Sequence, residues 1–187
     1  MLRSVRSVLS LLPLVLLLGL CAGCATLTGN DPGARSPGTI IDDQAVESLA
    51  RRELLNADPR FEAAHFEVVS FDGVVLIAGQ VESEDMLGIA EREIGQLRNV
   101  RTIHNELTVG GPVSMVARSN DAWLTTKVKS KLIAHDGIDS DRIKVVTENG
   151  VVYLIGKVKR DQADYAVAVA ATVHGAVRIV KVFEYVD

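Results

Sequence analysis

Trp123, Lys127 and Lys131 follow one another at intervals of four in the run 121–132, DAWLTTKVKSKL. At helical period they share one stripe, and Leu124, Val128 and Leu132 share another, about 100° around. A helix that buries the leucine stripe therefore carries an indole and two ammonium groups along its flank. They suit a boundary between apolar matter and anions, where the indole keeps its N–H wet and lysine stems lie along the apolar layer. The competing reading makes Trp123 a core residue and the lysines ordinary solvated surface. Asn120 or Asp121 is expected to cap the helix, with Asp121 also meeting the positive end of its dipole.

Nothing else in the chain assembles into a reactive constellation, so no enzyme, catalytic residue, metal site or cofactor is expected. His65, His104, His135 and His174 are scattered, with no HExxH pattern and no nucleophile elbow. Asp42 with Asp43, and Asp139 with Asp141, are close carboxylates, but they fall at a helix start and in a loop, where capping and turn formation account for them. Gly73 and Gly79 follow hairpin spacing and do not open a helix as GxGxxG would. Nucleic acid is an unsuitable partner, because the chain carries a net charge of −4 and has no Gly-x-x-Gly clamp.

The amino terminus sets the compartment. Residues 1–23 read as an export signal: Arg3 and Arg6 precede the uncharged apolar run 8–20, which Pro13 interrupts and which is short of the ~20 residues a membrane span needs. Leu20-Cys21-Ala22-Gly23-Cys24 resembles a bacterial lipobox, with small residues before the acceptor Cys24. It departs at Cys21, where leucine is usual. Cleavage before Cys24, with that residue lipidated and Cys21 removed, would leave no free thiol, hence no disulfide framework and no cysteine metal site. Ala25 stands where an aspartate would resemble an inner-membrane retention signal, which points to lipid anchorage at the periplasmic face of the outer membrane. Several acyl chains hold firmly where a single one is marginal. Residues 24–38, rich in Gly, Pro, Ser and Asn, read as a flexible tether.

The remainder is one unit written twice. Asp72-Gly73-Val74-Val75-Leu76-Ile77-Ala78-Gly79 lies over Asn149-Gly150-Val151-Val152-Tyr153-Leu154-Ile155-Gly156, and the register is expected to continue to Val100-Arg101 over Val177-Arg178. Each copy predicts a helix (about 43–56; 121–134), a strand (66–70; 143–147), an Asp-Gly or Asn-Gly hairpin turn and an almost wholly apolar strand. A second helix follows, opened by Ser83 in one copy and Asp161 in the other, and then a last strand (101–109; 178–186). The order αββαβ pairs the first two strands antiparallel, and a right-handed crossover lays the third parallel to the second. The fold class is therefore α+β: two tandem units, each a three-stranded mixed sheet with both helices on one face. The first occupies residues 39–110, the linker 111–118 and the second unit 119–187. So small a unit buries little alone, and the copies are expected to cover each other's sheets.

This arrangement resembles the BON domain, in the glycine after the hairpin turn (Gly73, Gly150), the glycine ending the next strand (Gly79, Gly156) and the closing valine pattern. The stretch 119–128 with Thr147-Glu148-Asn149-Gly150 looks like the second domain of dual-BON outer-membrane lipoproteins of the DolP type. The resemblance implies a non-enzymatic lipoprotein that supports envelope integrity and meets anionic phospholipid through the first helix of its second domain, at Trp123, Leu124, Lys127 and Lys131.

The repeat supplies an internal control. Trp123 aligns with Ala45, Lys127 with Leu49 and Lys131 with Glu53. A requirement of the fold alone would act on both copies alike, so the asymmetry favours a surface role for the second helix. Each lysine near an anionic bilayer contributes ~1 kcal/mol. With the indole the total is roughly 3–4 kcal/mol, about millimolar affinity. A tether makes that sufficient, because it holds the domain at an effective concentration of about that order. Removing Arg3 and Arg6 with the signal takes the net charge to −6, so attraction must come from a local basic face, screened beyond ~8 Å. The alternative is an adaptor in which Trp123 anchors an envelope-assembly or cell-wall protein. The sequence does not fix the oligomeric state.

Overall fold

The computed structural model describes residues 34–186, and Gly33–Asp187 forms one compact unit. The signal segment, Cys24 and the tether up to residue 33 lie outside the described residues.

The chain runs α1 (Pro37–Ala57), β1 (His65–Phe71), β2 (Val74–Val81), α2 (Asp85–Gly95) and β3 (Thr102–Val109). The second copy runs α3 (Met115–Ile133), β4 (Ile143–Glu148), β5 (Val151–Val158), α4 (Arg160–Ala171) and β6 (Arg178–Tyr185). Each copy is a three-stranded sheet with the apolar strand central, β1-β2-β3 and β4-β5-β6. The first pair is antiparallel and the second parallel, as the order of elements requires.

The central strands are apolar throughout because both faces are covered. Val75, Ile77 and Val81 of β2 face the helices with Val46, Ala50 and Leu54 of α1. Val152, Leu154 and Val158 of β5 do the same with Leu124, Val128 and Leu132 of α3. The alternate residues Leu76 and Ala78, with Phe71, meet Tyr153, Ile155 and Val182 in a third apolar cluster between the two sheets. The copies thus cover each other's open faces. Ion pairs stitch the rim of this seam: Lys144 reaches Glu47 at 2.7 Å and Lys157 reaches Asp72 at 2.8 Å.

Helix starts differ from expectation. α1 begins at Pro37 with Ser36 as its cap, and α3 begins at Met115 with Ser114 as its cap. Pro37 and Gly38, read as tether, and Met115 to Arg118, read as linker, are helical. α2 and α4 have no side-chain cap bond; Ser83 instead accepts from Arg60 at 2.9 Å.

The carboxylates expected to cap those helices do something else. Asp43, only 2% exposed, points from inside α1 at the β1–β2 turn. It accepts from the Ser70 hydroxyl at 2.7 Å and from the Asp72 and Gly73 amides at 2.9 and 3.1 Å. Asp121 repeats this inside α3, accepting the Asn149 and Gly150 amides at 2.9 and 2.8 Å. Both central turn residues have positive φ, 50° and 75° in the first copy, 52° and 75° in the second, so the turn leaves two amides pointing inward for a carboxylate to satisfy. Burial alone would raise the Asp43 carboxyl. The bonds from Ser70, Asp72, Gly73 and Arg35 outweigh it and hold the group below the usual range.

The expected register of the last strand is off by one. Arg101 and Val177 each donate their N–H at 2.8 Å, to the carbonyls of Gly73 and Gly150 respectively. Val74 pairs with Thr102 as Val151 pairs with Arg178. One residue fewer in the second crossover makes Val177 the counterpart of Arg101, not of Val100.

Candidate functional site

α3 separates its two stripes as its sequence demands. Val128 and Leu132 are buried against β4 and β5, and Leu124 with them at 3% exposure. Trp123 is 52% exposed. The Lys127 ammonium sits 4.6 Å from the centre of its ring, a cation–π contact that steadies the indole without burying it. The indole therefore lies outside the core.

Two of the four residues expected at a lipid contact are placed differently from the others. Leu124 faces the core and has no surface to offer a bilayer; it seats the helix under Trp123. Lys131 is exposed but donates to the Thr172 hydroxyl at 2.7 Å and approaches the Thr172 carbonyl at 3.4 Å, where α4 ends. A cation there meets the negative end of that helix, so part of its charge is spent within the domain. Trp123 and Lys127 remain as the outward pair.

Beside the indole lies an open cleft of about 330 Å³. Ala117, Asn120, Trp123 and Leu124 form one wall, the hairpin turn at Asn149 and Gly150 the floor, and His174 and Gly175 the far side. The Asp121 carboxylate reaches this floor already satisfied by its two amides. The arrangement offers shape and apolar surface beside the indole. Sequence reading missed Met115 and Val116, 70% and 72% exposed, because their helical turns were assigned to the linker.

A second cleft, about 500 Å³, lies between the copies, walled by Arg51, His65 and Glu67 on one side and Arg118, Asp121 and Glu148 on the other. Glu148 is buried, with the His65 Nε2 3.5 Å from its Oε1. Burial, then the charges of Asp121 and Glu67, push its carboxyl up to about 8. Burial, with the Arg118 charge, lowers His65. The pair therefore holds its proton on the carboxyl near neutral pH, with His65 uncharged. Among the described residues no group of three or more His, Cys, Asp and Glu is arranged to hold a metal, and no helix is long and apolar enough to cross a membrane.

Two copies of αββαβ, sealed sheet to sheet and differing in what their first helix shows to solvent, define a tandem α+β module. The chain belongs to the BON domain family, which it matches over residues 42–111 and 120–187, and stands with its DolP-type members. It is 35% identical over 164 residues to the outer membrane lipoprotein DolP of Haemophilus influenzae, covering 87% of this chain and 83% of that protein. It is 37% identical over 153 residues to the 21 kDa hemolysin of Actinobacillus pleuropneumoniae, covering 82% and 79%. The osmotically-inducible protein Y of Escherichia coli is 29% identical over 148 residues, covering 78% and 73%.

Proposed function

We propose that this chain is a non-enzymatic lipoprotein, anchored through Cys24 at the periplasmic face of the outer membrane. In this reading its second BON domain docks on anionic phospholipid and supports envelope integrity. The observation that carries it is the outward indole of Trp123 with the Lys127 ammonium over its ring. The corresponding positions of the first copy are Ala45 and Leu49. The likeness to the outer membrane lipoprotein of Haemophilus influenzae supports the compartment, and Ala22-Gly23-Cys24 supports the anchor.

With Lys131 partly engaged by Thr172, the electrostatic contribution is about one full lysine and a fraction, ~1–2 kcal/mol. The indole and any further apolar contact must supply the rest. Such a dock is weak by itself, and the tether makes it effective. Flotation of Gly33–Asp187 with phosphatidylglycerol-containing vesicles tests the reading. Capture that falls on Trp123→Glu, and is absent on phosphatidylcholine alone, supports it. A protein that stays at the bottom of the gradient with both lipids, yet retains an envelope protein through Trp123, indicates the adaptor instead.

A further inference from the structure

A single row of side chains on one helix makes a line contact. A domain resting on a flat surface along a line is free to roll about it, so a defined orientation needs a second contact off the helix axis. Val177 meets that need. It is 79% exposed, more than any other large hydrophobic residue among those described. It directly precedes β6, two residues after Gly175 on the side of the cleft that faces Trp123.

Its position is fixed from beneath. The Val177 N–H donates to the Gly150 carbonyl at 2.8 Å, and its side chain covers the cleft floor so closely that a Cβ on Gly150 would come within 2.9 Å of Cγ2. The first copy shows that the fold does not require an apolar residue here. Arg101 makes the same backbone bond to Gly73, and its guanidinium bonds the Asp72 carbonyl and Glu184 across the seam. The second copy gives up that cation for an outward valine, across the cleft from the position where it exchanges Ala45 for Trp123. Arg178 follows directly and points the other way, its guanidinium 3.9 Å from Glu106 of the first copy. An apolar residue with the Lys127 cation across the cleft complements an anionic bilayer surface.

We infer that Val177 is the second apolar contact of the bilayer-docking face, and that with Trp123 it holds the second domain in one orientation. This rests on the docking reading above. Because Gly33–Asp187 is one compact unit containing all three apolar clusters, that fragment suffices for the test, and it contains neither Cys21 nor Cys24. Val177→Cys is labelled with an environment-sensitive fluorophore, and Ile41→Cys, 65% exposed on α1, serves as the matched control. Phosphatidylglycerol–phosphatidylcholine vesicles should shift the label at 177 to the blue and leave the label at 41 in water, while Val177→Glu weakens flotation several-fold with an unchanged unfolding midpoint. If Trp123 emission shifts but the label at 177 does not, docking stands and the Val177 contact is overturned. If neither shifts, both fall.

Discussion

The Asp121 carboxylate reaches from the middle of α3 to the Gly150 amide, 2.8 Å away, and so ties the helix that carries Trp123 to the hairpin beneath it. Asp43 makes the same tie to Gly73 in the first copy. Removing either carboxylate leaves two inward amides without a partner. Asp121→Ala should therefore cost about 2–3 kcal/mol, and Asp43→Ala at least as much, since it also loses Ser70 and Arg35. Urea unfolding of each variant measures this, and an unchanged midpoint would remove the tie from the account.

Lys127, Lys129 and Lys131 are not equivalent. Lys127 lies over the indole, Lys131 donates to Thr172 and Lys129 is near enough to influence Glu67 of the first copy. Reversing a charge on the docking face changes its electrostatic contribution by ~2 kcal/mol. Lys127→Glu should thus weaken capture by anionic vesicles roughly thirtyfold. Lys129→Glu should do much less. Raising salt should shrink the difference between wild type and Lys127→Glu, as a vesicle titration at two ionic strengths would record.

Much of this was legible in the sequence. Asp72-Gly73 and Asn149-Gly150 announce their hairpins, and the apolar runs after them need two covered faces, which forces the sheets together. Trp123 against Ala45 is visible by aligning the copies. The roles of Asp43 and Asp121 were not, because an acid near a helix start reads as a cap until tertiary structure brings a turn within its reach. Ser36 and Ser114, the actual caps, lie in stretches whose composition resembles linker. Val177 was hidden by the shorter second crossover, which shifts the register by one and sets it over Val100 instead of Arg101.

Glu148 makes stability depend on pH. Its folded carboxyl titrates at about 8 against an ordinary value of 4.5, so the folded state binds more protons between those values. Stability is then fullest below about 4.5 as far as this group is concerned, and falls as pH rises towards 8. A shift of that size corresponds to at most about 5 kcal/mol. Glu148→Gln should flatten the fall in unfolding free energy across this window. An equally steep profile in the variant would assign the dependence to other groups.

Gly156 passes so close to the facing strand that a Cβ would fall on the Arg142 carbonyl oxygen. Gly156→Ala must push β4 and β5 apart at their antiparallel pairing, and about 3 kcal/mol of destabilisation is expected. Thermal unfolding beside the wild type is sufficient to detect it.

Trp123 is the only tryptophan in the chain, so its emission reports on one site, the one on which the docking claim rests. Titrating Gly33–Asp187 with phosphatidylglycerol-containing vesicles should move that emission to the blue and protect it from an aqueous quencher, with no change on phosphatidylcholine alone. An emission maximum and quenching constant that stay at their free values, at lipid concentrations well into the millimolar range, would contradict docking through this helix.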